Sequence, residues 1–198
     1  MRGGEERLVY EYPGAGILYL ADVSEDAQLL AVGIIEPGRT YAAVVPRISG
    51  APVIVAGGPM DAASLRFSPD GRWVAYVNHE SGQPQVFVSP LPPTGERWPV
   101  STTGGVQPAW RGDGRELYSL ALDGSLMAVP VASGPTFEAG VPIPLFTTSG
   151  LVTRFRVPGY RATADGQRFL LSAPGDEQTA TTTTTLQVVL NWAAALKH

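Results

Sequence analysis

The 198-residue sequence contains no cysteine, only two histidines and a single lysine, Lys197. Without cysteine the chain has no disulfide, no thiolate nucleophile and no cysteine-ligated zinc. His79 lies in a turn sequence and His198 is the last residue. Two such distant histidines do not supply the three or four converging ligands of a metal site. The sequence therefore predicts no metal and no cofactor, with both histidines as solvated loop residues.

Charge is sparse as well. Charged residues make up 16% of the chain, below the roughly 25% of an average globular protein, and the net charge is −4. No basic run provides the electrostatic footprint of a nucleic-acid-binding protein or of a polybasic membrane patch. No apolar run approaches the roughly 20 residues of a spanning helix. We expect no nucleic-acid partner and no membrane insertion by this chain.

The sequence is rich in glycine and proline, the residues that interrupt helices and strands. It contains 23 glycines and 18 prolines, spread evenly, and 44% of its residues are apolar. That composition is typical of many short strands joined by turns, and it provides the apolar residues that a disordered chain lacks. The N-terminal residues are not followed by the apolar h-region of a signal peptide, so no signal peptide is visible. We therefore expect a cytoplasmic chain if the sequence is complete.

A four-residue turn motif recurs along the chain. Its aspartates follow one another at intervals of 44, 43 and 52 residues, and intervals near 40–45 fit a four-stranded β-propeller blade. Ser, Pro and Asp suit the first three positions of a type I turn, and Gly at the fourth tolerates positive φ. Because alanine does not adopt that conformation cheaply, we expect the first turn to be altered. The four copies are Ser24-Glu25-Asp26-Ala27, Ser68-Pro69-Asp70-Gly71, Arg111-Gly112-Asp113-Gly114 and Thr163-Ala164-Asp165-Gly166.

Each turn is followed by a strand that is apolar on both faces, as expected for strands lying between neighbouring blades. Further strands follow in each repeat, so the fold class is all-β. The sequence predicts one β-propeller domain, 1–198, with four four-stranded blades as a small or partial propeller. The second strands are Leu29–Val32, Trp73–Val77, Leu117–Leu120 and Phe169–Leu171; the third are Tyr41–Val45, Gln85–Val88, Leu126–Val131 and Leu186–Leu190. The fourth are Pro52–Val55, Arg97–Val100 and Ile143–Phe146, and the blades span about 13–57, 58–104, 105–148 and 149–192.

The last blade lacks a fourth strand. The spare N-terminal segment Leu8–Tyr12, within residues 7–12, could complete it and close the ring, since closure hides sheet edges. The alternative is an open arc that pairs with another copy or with further blades. The residues 147–159 form an insertion before the last turn, and we expect the threonine run 179–185 to be an exposed loop, with extended β as the alternative.

The segment Phe67–Tyr76 resembles the signature of TolB-type, WD40-like propeller repeats. The stretch from Arg66 to Phe146, with the ending Val188-Val189-Leu190-Asn191-Trp192, is similar to the C-terminal propeller of bacterial membrane-anchored serine/threonine protein kinases. The resemblance implies an extracytoplasmic sensor or interaction domain, and an extracytoplasmic location if the chain belongs to such a kinase. The kinase half is absent, since the sequence has no His-Arg-Asp loop, Asp-Phe-Gly motif or glycine-rich nucleotide loop.

Other catalytic motifs are missing too. The sequence has no G-x-S-x-G elbow, although this type of propeller also caps prolyl-oligopeptidase-like peptidases. Gly14-Ala15-Gly16 begins a dinucleotide fingerprint but lacks its third glycine. The Asp-Gly turns carry one carboxylate each, whereas calcium binds six to eight oxygens. We therefore expect no enzyme activity.

Candidate ligand-binding residues lie near the innermost strands, which line the central channel of a propeller. Alternatively, the same residues are ordinary solvated side chains at the rim of the propeller and bind no ligand. The tryptophans Trp73, Trp98 and Trp110 are expected in the core between blades. The candidates for an anionic or polar ligand are Asp61, Arg66, Gln107, Arg154, Arg156, Tyr160 and Arg161.

The resulting hypothesis is a non-catalytic sensor or interaction propeller derived from a receptor-type kinase, whose partner is a protein or a small polar ligand. The alternative is an accessory propeller of a TolB-like transport system or of a prolyl-oligopeptidase-like hydrolase, acting with a separate chain.

Overall fold

The computed structural model describes residues 8–48, 50–58, 62–132, 134–147, 159–174 and 184–190. Their regular structure is entirely β, in four antiparallel sheets with no helix. The all-β prediction is confirmed. The short C-terminal helix expected around 193–197 lies outside the described residues. No helix in the described part of the chain is long and apolar enough to cross a membrane.

The sheets follow the sequence repeats, and their strands are ordered as they occur along the chain. In the third sheet, β12 and β13 both pair with β11. The first sheet contains β1 (Ile17–Val23), β2 (Leu29–Glu36), β3 (Arg39–Pro46) and β4 (Val53–Gly58); the second contains β5 (Ala62–Phe67), β6 (Trp73–Asn78), β7 (Gln85–Pro90) and β8 (Trp98–Pro99). The third contains β9 (Val106–Trp110), β10 (Glu116–Leu120), β11 (Ser125–Ala132), β12 (Glu138–Ala139) and β13 (Ile143–Thr147); the fourth contains β14 (Tyr160–Ala162), β15 (Arg168–Pro174) and β16 (Thr184–Leu190).

The turn between the first two strands of each sheet is built as the motif predicts. In the second sheet the Ser68 hydroxyl bonds the Asp70 carboxylate at 2.5 Å and accepts the Trp73 N–H at 2.9 Å. Gly71 has φ 69°. The first turn corrects our expectation, because Ala27 adopts the same left-handed conformation with φ 54°. Ser24 there holds Asp26 at 2.7 Å, so the turn keeps its geometry although its fourth residue carries a Cβ.

The core lies between the sheets. One buried cluster joins strands of the second, third and fourth sheets, and contains Trp73, Tyr118 and Phe169. A second cluster joins the first two sheets through residues such as Val44 and Tyr76. Trp98 and Trp110 pack against the large cluster, which confirms the expectation for the three tryptophans. Face-to-face burial of this kind explains why the strands are apolar on both sides.

The N-terminal segment differs from its predicted role. Residues 8–13 form no strand, and Tyr10 and Tyr12 pack against a buried patch on the first sheet that includes Val32 and Ile34. The Tyr12 hydroxyl donates a hydrogen bond to Glu36. The two tyrosines therefore pack on the first sheet and not beside the last one. The described part of the fourth sheet has three strands. Within the described residues the sheets form no closed ring, and the number of blades stays a prediction.

The threonine run is divided. Thr184 and Thr185 belong to β16, where they pair with Pro174 and Ala173. The end of the run is therefore extended β, which was the alternative to a loop. The residues 179–183 lie outside the described part of the chain, as do residues 148–158 of the insertion.

Candidate functional site

The first strands of the four sheets converge on a cavity of about 170 Å³. β1, β5, β9 and β14 each contribute to its wall. Of the candidates, Arg66, Gln107, Tyr160 and Arg161 line it, together with Tyr19. The structure thus brings together four residues that are far apart in sequence. Asp61, Arg154 and Arg156 lie outside the described residues. We refer to this space as the inner cavity.

The repeat explains why these side chains meet. Arg66 and Arg161 each stand four residues before the aspartate of their turn, and Asp22 and Ala109 occupy the same place in the other two sheets. Each turn fixes the register of the strand that precedes it. Residues that stand the same number of positions before their turns therefore lie at the same height along the inner strands. The two guanidinium groups at this offset line the inner cavity, whereas the Asp22 carboxylate lines a neighbouring cavity.

Arg66 is held by backbone groups. Its Nη1 donates to the Ala21 carbonyl at 2.6 Å and to the Leu65 carbonyl at 2.7 Å. Burial lowers the pKa of Arg66, the nearby Asp22 raises it, and the charge of Arg161 lowers it further. Among the described residues no ion pair involves Arg66. An arginine remains protonated at neutral pH in any case, so the inner cavity contains a fixed positive charge.

Asp22 has a structural role beside this arginine. Its Oδ2 accepts the backbone N–H of Phe67 at 2.9 Å, and the indole Nε1 of Trp110 donates to the Arg66 carbonyl at 3.1 Å. Side chains thus connect the first strand of one sheet to that of the next. A second cavity of about 190 Å³ lies beside Asp22, Arg66, Trp110 and Arg161.

Ser64 and Gln107 occupy equivalent positions, six residues before their turn aspartates. Both are left-handed, with φ 59° and 55°, and both lie where the register of the inner strand shifts. A left-handed residue with a Cβ is strained, and such strain is found preferentially at functional sites. The bulges aim these side chains into the inner cavity, which both residues line.

Gln107 and Tyr160 join the third and fourth sheets. The Gln107 Oε1 accepts the Gly159 N–H at 2.6 Å, and the Tyr160 hydroxyl donates to the Gln107 carbonyl at 2.8 Å. Burial raises the pKa of Tyr160 well above its usual range. Its phenol therefore stays neutral and serves as a hydrogen-bond donor. Arg161, the next residue, is exposed.

The arrangement is suited to holding an anion. Guanidinium groups form strong charge-assisted hydrogen bonds with carboxylates and phosphates. Within the described residues, no group of three or more His, Asp or Glu side chains could hold a metal ion. His79 is half-buried at a turn in which the Gly82 N–H donates to the His79 carbonyl at 2.9 Å, and it does not line the inner cavity.

Sequence reasoning missed Tyr19 and Ser64 in the cavity wall. The signal for Ser64 was its offset from the turn aspartate. Ser64 stands at the offset of Gln107, and Tyr19 lies one residue before that offset in the first repeat. Aligning the four repeats on their aspartates would have found Ser64, whereas this alignment gives no signal for Tyr19.

Comparisons with known proteins identify the fold. No family model matches the chain, and no curated protein matches it. Solved structures do. TolB from Acinetobacter baumannii matches with 17% identity and a TM-score of 0.63, over 89% of this chain and 41% of that one. Oligogalacturonate lyase in complex with manganese matches with 15% identity and a TM-score of 0.66, over 96% of this chain and 55% of that one.

A puromycin-hydrolyzing peptidase from Mycobacterium tuberculosis matches with 19% identity and a TM-score of 0.61, over 89% of this chain and 30% of the peptidase. The chain thus has a TolB-type β-propeller fold, and it spans 30–55% of the length of these three proteins. Likeness at such low identity establishes architecture and leaves function to be argued from the site.

Proposed function

We propose that this chain is a non-catalytic propeller domain that binds an anionic group in the inner cavity. The anion is a carboxylate carried by a small polar ligand or by a segment of a partner protein. The observation that carries the proposal is the convergence of Arg66 and Arg161, from two inner strands, on one concave site lined also by Gln107 and Tyr160.

The preorganisation of Arg66 supports binding. Its Nη1 is already anchored on two carbonyl oxygens, so less side-chain entropy is lost when an anion binds. The raised pKa of Tyr160 and its bond to the Gln107 carbonyl keep a neutral wall next to the cations. The described wall offers donors for an anion, and we assign it no nucleophile and no general base.

Titration calorimetry tests the proposal with two probes, citrate and an acetylated, amidated peptide containing three glutamates. Arg161→Gln is the informative variant because Arg161 is exposed and its loss leaves the interior intact. Since a hydrogen bond to a charged group contributes about 1.5–3 kcal/mol, we expect affinity for the bound probe to fall at least about tenfold. Binding should also weaken with added salt.

Arg168→Gln is the matched control, because Arg168 is an exposed arginine of the same sheet that does not line the inner cavity. Binding of citrate alone would identify a small ligand, and binding of the peptide alone a protein segment. The proposal is wrong if neither probe binds, or if Arg168→Gln weakens binding as much as Arg161→Gln does.

The sensor role and the kinase ancestry are part of the same proposal. They are supported by the similarity of the stretch Arg66–Phe146 to the propeller of receptor-type kinases. Sequencing the genomic region upstream tests them, since a kinase with a transmembrane helix in the same reading frame is expected.

A second candidate is an accessory propeller that acts with a separate transport or hydrolase chain. It is favoured by the fold shared with TolB and with the peptidase. Genes for such a chain beside this one, without a kinase, would favour it over the sensor.

A further inference from the structure

The cavity of about 190 Å³ beside Asp22 adjoins the inner cavity along the inner strands. Residues that line the inner cavity stand four to seven positions before their turn aspartates, whereas those that line the second cavity stand one to four positions before them. We call this second space the turn-side cavity. Arg66, Ala109 and Arg161 line both spaces, and all three stand four positions before their aspartates. The two cavities therefore meet at the level of the two arginines.

The charge of the wall changes across this level. On the inner side, Arg66 and Arg161 are the only acidic or basic residues among the described residues of the lining. On the turn side, Asp22 is added to the wall, and its Oδ2 is held by the Phe67 N–H at 2.9 Å. Two carboxylates that share a small site disfavour each other. We therefore expect the anionic group of a ligand on the inner side of the arginines, and an uncharged part of the ligand on the turn side.

The rest of the turn-side cavity suits an apolar ring. Its uncharged described lining is apolar throughout and consists of Phe67, Pro69, Ala109, Trp110 and Ala162. The Trp110 Nε1 donates to the Arg66 carbonyl at 3.1 Å, so the indole is already fixed beside the arginine and loses little freedom when a ligand binds. Since an apolar cavity of roughly 150 Å³ accommodates benzene, a volume of about 190 Å³ has room for one six-membered ring.

We propose that the ligand of the inner cavity is a carboxylate that carries an aromatic ring, and that the ring lies in the turn-side cavity beside Trp110. This inference rests on the proposed function, because the arginines hold the carboxylate. Trp110 and Ala162 stand one position closer to their turns than the arginine level, a step of about 3.3 Å along a strand. A spacer of two carbon atoms between carboxylate and ring covers that step. The same skeleton occurs in a free aromatic acid and in phenylalanine at the carboxyl end of a peptide.

NMR titration of the isotope-labelled full chain tests the proposal with propanoate and with hydrocinnamate, which is propanoate carrying a phenyl ring on its terminal carbon. Because the ring is removed from water on binding, we expect hydrocinnamate to bind at least about tenfold more tightly than propanoate. The indole N–H signal of Trp110 is identified by its absence in Trp110→Phe. In the unchanged chain this signal should shift further with hydrocinnamate than with propanoate.

Ala162→Leu is the informative variant, because Ala162 lines the turn-side cavity and does not line the inner cavity. A leucine there occupies the space of the ring, so we expect the ratio of the two affinities to fall at least about fivefold. Ala164→Leu is the matched control. It makes the same change at an exposed residue two positions further on that lines neither cavity, and the ratio should stay the same.

The folding of each variant is checked by circular dichroism. If Ala162→Leu does not fold, intermolecular nuclear Overhauser effects in the unchanged chain decide instead. Contacts between the phenyl protons of hydrocinnamate and the indole protons of Trp110 are expected, and their absence would overturn the proposal. A ratio lowered equally by Ala164→Leu and Ala162→Leu would overturn it as well.

Failure of this inference is distinguishable from failure of the proposed function. If hydrocinnamate binds no more tightly than propanoate, the inference is wrong, and the proposed function stands as long as Arg161→Gln weakens the binding of either acid or of citrate. If no carboxylate probe binds, both are wrong. An acetylated Gly-Gly-Phe peptide with a free carboxyl end separates the two sources of the ligand. Tighter binding than hydrocinnamate supports the end of a protein chain, and weaker binding supports a free aromatic acid.

Discussion

The repeated turn permits one chemical change to be made in different surroundings. Ala27, Gly71 and Gly166 occupy the fourth position of equivalent turns, with φ 54°, 69° and 70°. In this left-handed region a residue with a Cβ is strained by about 1–2 kcal/mol. Exchanging alanine and glycine at the three sites therefore measures the strain and separates it from packing.

The magnitudes follow from what surrounds each Cβ. Ala27→Gly relieves the strain but adds about 0.4–1 kcal/mol of chain entropy to the unfolded state, so we expect a net stabilisation of about 0.5–1 kcal/mol. Gly71→Ala should destabilise by a similar amount, because an added Cβ at Gly71 meets no atom within 4 Å and only the conformational terms change.

Gly166→Ala should be considerably worse. An added Cβ would overlap the hydroxyl of Tyr118. Tyr118 is fully buried, and its hydroxyl is bonded to Glu116 at 2.7 Å, so it has little room to move. Overpacking adds about 1–3 kcal/mol to the strain, and we expect a loss of about 2–4 kcal/mol.

Urea unfolding, followed by tryptophan fluorescence and circular dichroism, measures the series. We expect the midpoints to fall in the order Ala27→Gly, unchanged chain, Gly71→Ala, Gly166→Ala, with similar slopes. The reasoning is refuted if Ala27→Gly is less stable than the unchanged chain. Equal losses for Gly71→Ala and Gly166→Ala would refute the role given to Tyr118.

Three further predictions concern pH, the core and activity. The Ser24 hydroxyl, and then the Gln28 N–H, hold the pKa of Asp26 below its usual value; a depressed folded-state pKa contributes stability above about pH 4 that is lost as the pH falls below it. The difference in urea midpoint between the unchanged chain and Asp26→Asn should therefore shrink from pH 6 to pH 3, and a constant difference would contradict the assignment. Trp73, 8% exposed and edge-on to Trp98 at 5.7 Å between ring centroids, should cost about 3–5 kcal/mol when changed to Ala, measured by the same unfolding assay. The purified chain should show no kinase, peptidase or nuclease turnover, and activity abolished by a single substitution in this chain would contradict this.

The repeat was readable because turn chemistry is local. Ser68, Asp70 and Gly71 each have a role that depends only on near neighbours, so spacing and motif predicted the sheets and the place of Arg66. Part of the lining of the inner cavity could also be predicted from the sequence, since Gln107, Tyr160 and Arg161 lie shortly before their turns.

What could not be read depends on distant contacts. Ala27 adopts a strained conformation because the Ser24–Asp26 hydrogen bonds and the flanking strands fix the turn, which outweighs the local preference of alanine. The segment Leu8–Tyr12 was predicted as a strand because the last blade lacks one, yet Tyr10 and Tyr12 pack against apolar side chains of the first sheet. The left-handed φ of Ser64 likewise belongs to a bulge that no local sequence motif predicts.

Each described sheet is made of strands that are consecutive in sequence, and each contacts the sheets that precede and follow it. Such a molecule behaves as a row of nearest-neighbour units, and its stability is distributed along the row. The second and third sheets are covered on both faces, so their amide hydrogens should exchange most slowly with solvent. The first sheet should open by local unfolding at lower free energy, without melting the rest. Protection measured strand by strand would then decline from the middle of the chain toward its ends.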